Sequence, residues 1–176
     1  LIDMFASGST YYTFVDSGAF TAAYSSFTNA DPGGIQLSGT AGVSISSSTF
    51  DFLGFASGTN TYITARDLTS NATFYNVTFG LSRSSFGYAS AYHVRVEGSD
   101  AGLAVVLRGT AAALGSLWGE AYDNELGAAN KVFWSDISCD PVASAASGLW
   151  SNASTWDLGF VPGSCNALTI TAGHVV

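Results

Sequence analysis

Apolar residues alternate with small, hydroxyl-bearing ones along residues 19–97, and the alternation is written three times. The runs 20–27 (FTAAYSSF), 43–50 (VSISSSTF) and 72–79 (ATFYNVTF) each set Ser, Thr or Ala between β-branched or aromatic residues and end on Phe. A period of two predicts one half-buried strand per run. A Gly/Ser/Asn-rich connection follows each run, and then a second alternating run: 34–39 (GIQLSG), 61–66 (TYITAR) and 91–97 (AYHVRVE). The unit returns after roughly 21 to 31 residues and holds short strands without a helix, the signature of a solenoid whose turns stack on their neighbours. The predicted fold is all-β, a right-handed parallel β-helix of about four to six rungs with an irregular connector.

The rest of the chain extends that pattern. Residues 10–15 (TYYTFV) read as a strand turned by Asp16, Ser17 and Gly18, and 29–34 (NADPGG) reads as a corner, because Pro fixes one φ and the glycines permit positive φ. A third strand per rung is expected at 51–55, 80–86 and 116–120. In a fourth rung, 103–108 continues the first strand position and 131–134 the second. Residues 111–126 also carry apolar positions at helical spacing, but Gly115 and Gly119 would each cost about 1 kcal/mol in a helix interior, so a strand and loop are expected there. Phe27, Phe50 and Phe79 close equivalent runs, which predicts a core column with rings about 4.8 Å apart.

Composition narrows the possible partners. Charged residues make up 10% of the chain, net charge is -8, and five Lys/Arg in all cannot build the basic surface that phosphate backbones or anionic bilayers require. Neither nucleic acid nor a membrane span is expected, since no apolar run approaches the ~20 residues that cross a bilayer. There is no initiator Met or signal-peptide pattern at the start, so the expectation is a mature chain or a piece of one. Two cysteines, Cys139 and Cys165, in a Lys-poor, Ser/Thr-rich chain suit a disulfide in an extracellular or cell-surface setting, with two free buried thiols as the alternative.

The pattern changes at Ser138. The reading is rungs over 1–137, a small, polar connector over 138–149, and over 150–176 the opening of a following coil. That last part contains Trp150, Trp156, the run 160–163 (FVPG) and the strand-like 167–176 (ALTITAGHVV). It resembles the segment that opens β-helical modules in large bacterial surface proteins, where paired Trp and a Val-Pro turn precede an alternating strand ending near Ala-Gly-His. The rungs before it resemble pectate-lyase-like β-helices in general pattern. The resemblance implies an extracellular or cell-surface module with no inherited active site.

Candidate chemistry is sparse. A polysaccharide lyase or hydrolase would need clustered carboxylates with Arg or Lys nearby. The nearest groups are Arg66 with Asp67, and Arg95 with Glu97 and Asp100; solvated ion pairs explain them equally well. Glu120, Asp123, Asn124 and Glu125 offer oxygen ligands but lack the spacing of a preformed Ca²⁺ loop. His93 and His174 stand apart from any second ligand cluster and are read as rung-stacking or surface residues. Trp118, Trp134, Trp150 and Trp156 suit module junctions better than carbohydrate platforms. Asn71, Asn76 and Asn152 lie in Asn-x-Ser/Thr triplets, with Asn76 expected inside a strand.

Both ends of the chain are apolar β segments without visible caps. Leu1, Ile2, Leu168, Ile170, Val175 and Val176 are therefore expected to form end-to-end contacts with further copies, covalent or stacked. The expected function is that of a structural module of an extracellular surface protein or filament, without enzymatic activity, cofactor or metal. The rival reading is a carbohydrate-binding adhesin or a polysaccharide-degrading β-helix.

Overall fold

The computed structural model describes residues 11–28, 30–50, 61–80, 92–98, 104–109, 119–126 and 130–176. Its strands are β1 (Tyr11–Val15), β2 (Ala19–Ala23), β3 (Ser26–Phe27), β4 (Ala30–Ser38), β5 (Gly42–Ser46), β6 (Thr49–Phe50), β7 (Thr61–Arg66), β8 (Ala72–Tyr75), β9 (Thr78–Phe79), β10 (Tyr92–Glu97), β11 (Val105–Gly109), β12 (Asp123–Glu125), β13 (Val132–Asp136), β14 (Val142–Ala143) and β15 (Leu168–Thr169). They are dealt in turn to three parallel sheets, ordered β1-β4-β7-β10-β12, β13-β11-β8-β5-β2 and β3-β6-β9, while β14 and β15 form a separate parallel pair. No sheet is closed. Parallel neighbours cannot be joined by a tight hairpin. Here the chain leaves each sheet for another before returning to it, an order compatible with a solenoid.

Each run read as one strand is in fact two. The chain bends within it at Tyr24, Ser47 and Asn76, which have φ of 52°, 45° and 48°. These left-handed residues follow the matched positions Ala23, Ser46 and Tyr75 and divide β2 from β3, β5 from β6 and β8 from β9. Non-glycine residues resist this conformation at a cost of about 1–2 kcal/mol, so alternation alone gave no sign of a corner. Neighbouring turns compensate with hydrogen bonds. Tyr24 N donates to Ser46 O at 3.1 Å, Ser47 N to Tyr75 O at 2.8 Å and Asn76 N to Arg108 O at 2.7 Å. Inside the corner, the buried Ser48 hydroxyl accepts from Ser25 N and donates to Ser46 O. Asn76 thus lies at a corner and not within a strand.

A second column of left-handed residues, Gly39, Asp67 and Gly98, follows the matched positions Ser38, Arg66 and Glu97. A Cβ on Gly98 would come within 2.4 Å of Asp67 Oδ1, so crowding adds to the demand for positive φ. Of the corner expected over 29–34, Asn29 lies outside the described residues and residues 30–34 lie in β4, where a register shift against β1 absorbs the Pro and glycines, and the Asp31 carboxylate accepts a hydrogen bond from Gly33 N at 3.0 Å.

The core fills the space between the sheets. Ile35, Leu37, Ile63, Ala65, Val94 and Val96 point inward from the first sheet, and Val43, Ile45, Ala72, Phe74, Val105 and Leu107 from the second. An aromatic column completes it: Phe27 stacks on Phe50 at 5.0 Å, Phe50 on Phe79 at 5.6 Å, Phe79 on His93 at 4.4 Å and His93 on Tyr122 at 4.9 Å. His93 is therefore a buried stacking residue. Trp134 meets Phe79 edge-on.

Two assignments shift near residue 120. β13 extends the sheet of β11, so residues 131–134 occupy the first strand position and not the second. The second position is taken by β12, three polar residues that an apolar pattern cannot reveal. A short 3-10 turn, Glu120–Tyr122, leads into it. The segments 51–55 and 81–86, residues 116–118 with Trp118, and Leu1 and Ile2 lie outside the described residues.

Residues 138–176 contact the second sheet at Tyr75 and Arg108 and the corner at Asn76. Tyr75 Oη and Asn76 Nδ2 both donate to the Leu158 carbonyl, at 2.8 and 3.0 Å, and Arg108 pairs with Asp140 at 3.0 Å. Burial pushes the Tyr75 phenol up to about 12, with Asp157 and Asp140 adding to the shift and Arg108 opposing it. Within the segment, Trp156 is buried against Trp150 and donates through Nε1 to Trp150 O. Ser144 binds His174 Nδ1 through its hydroxyl at 2.9 Å, and β14 lies in the stretch read as connector. Cys139 and Cys165 stand at disulfide distance, with Cα atoms 5.2 Å apart.

Two outcomes test this packing. Phe50→Ala, which empties the middle of the aromatic column, is expected to cost about 3–5 kcal/mol in chemical denaturation. Intact-mass measurement is expected to show a gain of two hydrogens on reduction as the Cys139–Cys165 bridge opens. In the chain-entropy model that bridge contributes about 3 kcal/mol.

Candidate functional site

In-register stacking places like positions of successive turns side by side on the outer face of the first sheet. Phe14, Gln36, Thr64 and Arg95 form one such row and Ser38, Arg66 and Glu97 the next. Between them lies a groove of about 210 Å³ lined by Phe14, Gln36, Ser38, Thr64, Arg66 and Glu97. Phe14 is 48% exposed and stacks on Tyr12, which is 63% exposed, with ring centroids 6.2 Å apart. Adjacent strands are about 4.8 Å apart, so the groove spans four strands, β1, β4, β7 and β10, over roughly 14 Å.

Its polar wall is an ion triad. Glu97 accepts from Arg66 with one oxygen and from Arg95, at 2.7 Å, with the other. The Glu97 side chain is 15% exposed and that of Arg66 62%, so the acceptor is held in place while the guanidinium keeps donors turned to solvent. The bond and charge of Glu97 raise the Arg66 pKa further, with Asp67 adding to it. Thr64 Oγ1 donates to Gly33 O, and Gln36 Nε2 to Asp31 Oδ2 at 3.4 Å. Burial raises the Asp31 carboxyl, against hydrogen bonds from Gly33, Gln36 and Gly34.

Of the residues picked out in the sequence, Arg66, Arg95 and Glu97 are thus brought together, Asp67 sits at the neighbouring corner, and Asp100 is outside the described residues. Glu97 is shared by two guanidinium groups, an arrangement that suits positioning better than proton transfer. Phe14, Tyr12 and Gln36 were missed. Their signal was available only through register, since Phe14 becomes a neighbour of Gln36 once β1 is paired with β4.

The acidic stretch serves the coil. The Glu125 carboxylate accepts from Asn130 N, Lys131 N and Val132 N at 2.6–2.7 Å, satisfying donors at the start of β13 as a helix cap would. Asp123 is buried and accepts from Trp134 Nε1 at 2.6 Å. Among the described residues no group of three or more His, Cys, Asp or Glu side chains is arranged to hold a metal ion. Asn152 accepts from Ser154 N at the start of a 3-10 turn, Ala153–Thr155.

At the terminal strands, Leu168 (40% exposed), Ile170 (44%), Val175 (76%) and Val176 are open to solvent. β15 pairs only with β14 among the described residues.

Burial pushes the Asp123 carboxyl up to about 6, Glu120 and Glu125 adding to the shift and the Trp134 hydrogen bond opposing it. A value raised in the folded state gives stability that is complete below the ordinary value of about 3.8 and is lost as pH rises through about 6. Asp123→Asn keeps an acceptor for Trp134 but does not titrate. It is expected to gain on the order of 1 kcal/mol over the parent between pH 4 and 7, measured by urea denaturation across that range. Comparison with protein-family models, with curated proteins and with solved structures found no match to this chain.

Proposed function

We propose that this chain is a structural module of an extracellular surface protein or filament, a right-handed parallel β-helix that repeats end to end through its terminal β segments. The observation that carries this reading is β15. Its outer edge is unpaired among the described residues, and Leu168 in it and Ile170 just beyond it alternate with Thr169 and Thr171, the apolar–polar alternation that β5 and β8 also carry in sequence. Val142, matched to Leu168 one strand earlier, is fully buried. A further parallel strand would give Leu168 the same cover and satisfy the open backbone groups.

Three features support the setting. The surface is poor in charge, which weakens repulsion between copies. An exposed cysteine pair at disulfide distance is compatible with a secreted protein. No helix among the described residues is long and apolar enough to cross a membrane. The function is mechanical: parallel backbone ladders transmit load along the coil.

Electron microscopy and sedimentation at rising concentration test the reading. The parent chain is expected to form elongated assemblies. The double variant Ile2→Lys, Ile170→Lys should remain monomeric with an unchanged circular dichroism spectrum. A parent chain that stays monomeric at high concentration overturns the proposal.

A further inference from the structure

We propose that the groove on the outer face of the first sheet binds a neutral oligosaccharide, with a pyranose ring lying on Phe14 and vicinal hydroxyls taken by Arg66 and Glu97. The residues of this site are other than Leu168 and Ile170, on which the assembly reading rests.

Three properties select this ligand class. The first is the aromatic platform. A half-exposed Phe14, backed by Tyr12 and set at the groove's end, offers a flat apolar surface of the kind that the C–H face of a sugar ring covers. The second is the paired donor and acceptor. The Glu97 carboxylate is fixed between two guanidinium groups, and Arg66 leaves donors free toward solvent, so a donor and an acceptor stand side by side. Two adjacent sugar hydroxyls require that pairing, one accepting from Arg66 and the other donating to Glu97. Gln36 and Ser38 add further polar partners along the groove.

The third property is charge. Arg66 and Arg95 are offset by Glu97, by Asp67 beside Arg66, and by Asp31 behind Gln36. A carboxylated or sulfated chain would find no excess of positive charge here, in a protein whose net charge is -8. The groove is also small and open, below the usual range for sites that enclose a drug-sized ligand. It therefore suits one or two rings of a longer chain held on a surface, with dissociation constants of roughly 0.1–1 mM.

The experiment is titration of the ¹⁵N-labelled chain with cellotriose, mannotriose, maltotriose and β-1,4-galactotriose, with trimannuronate as the acidic counterpart, in EDTA. At least one neutral trisaccharide is expected to shift the amides of Phe14, Gln36, Thr64 and Arg66, with little change in affinity between 50 and 500 mM NaCl. Phe14→Ala and Arg66→Ala, each checked for an unchanged thermal melt, should weaken that binding by about tenfold. Three results overturn the proposal: no neutral trisaccharide moves these amides, trimannuronate binds more tightly than every neutral one, or both variants bind like the parent.

Discussion

Among the described residues the strands of each sheet are hydrogen-bonded in parallel to their counterparts on either side, and that pairing fixes which side chains meet. In a parallel ladder without slip, position matches position, so each residue lies beside its counterpart about 4.8 Å away. The Phe27, Phe50 and Phe79 stack and the paired outer rows follow from it. So does the ion triad: Arg66 and Glu97 are neighbours because they hold the same position in successive turns, although they lie far apart in sequence. Where the match slips, as between β1 and β4, the extra residues bulge outward and the inward-facing Ile35 and Leu37 stay in place.

Much of this was legible in the runs of alternating residues. Runs that bury one face announce themselves, and the stacking of Phe50 on its neighbours follows from their common place at the end of a run. The corners were hidden for a physical reason. Tyr24, Ser47 and Asn76 take left-handed backbone that their side chains do not advertise, because hydrogen bonds from the next turn and the buried Ser48 hydroxyl offset the local cost. β12 was hidden for another reason: Asp123, Asn124 and Glu125 carry no hydrophobic signal, yet their carboxylates satisfy Trp134 and the start of β13. The groove was only half visible. Its charged members stand out in a charge-poor chain, whereas Phe14 gains its role from the pairing of β1 with β4.

Low charge density makes each ionic contact specific. Arg66 and Arg95 converge on Glu97, Arg108 holds residues 138–176 through Asp140, and Glu125 is spent on backbone donors. Hydroxyls supply the remaining polarity. Thr73 Oγ1 donates to Val43 O and Thr69 Oγ1 to Gly39 O, so surface Ser and Thr reinforce contacts between turns as well as meeting water.

The two kinds of corner leave the coil unequal in its tolerance of new sequence. Between β2 and β3, β5 and β6, and β8 and β9 the chain has the same two-residue bend, locked by hydrogen bonds to the adjoining turn. After β3 the return to the first sheet is short, whereas after β6 and β9 it is much longer in sequence. Length varies most at the return to the first sheet and less at the step from the first sheet to the second, while the bend after the second sheet holds at two residues in all three cases. That bend sets the spacing of the stack, so new sequence can enter at the other connections without shifting the register of the sheets.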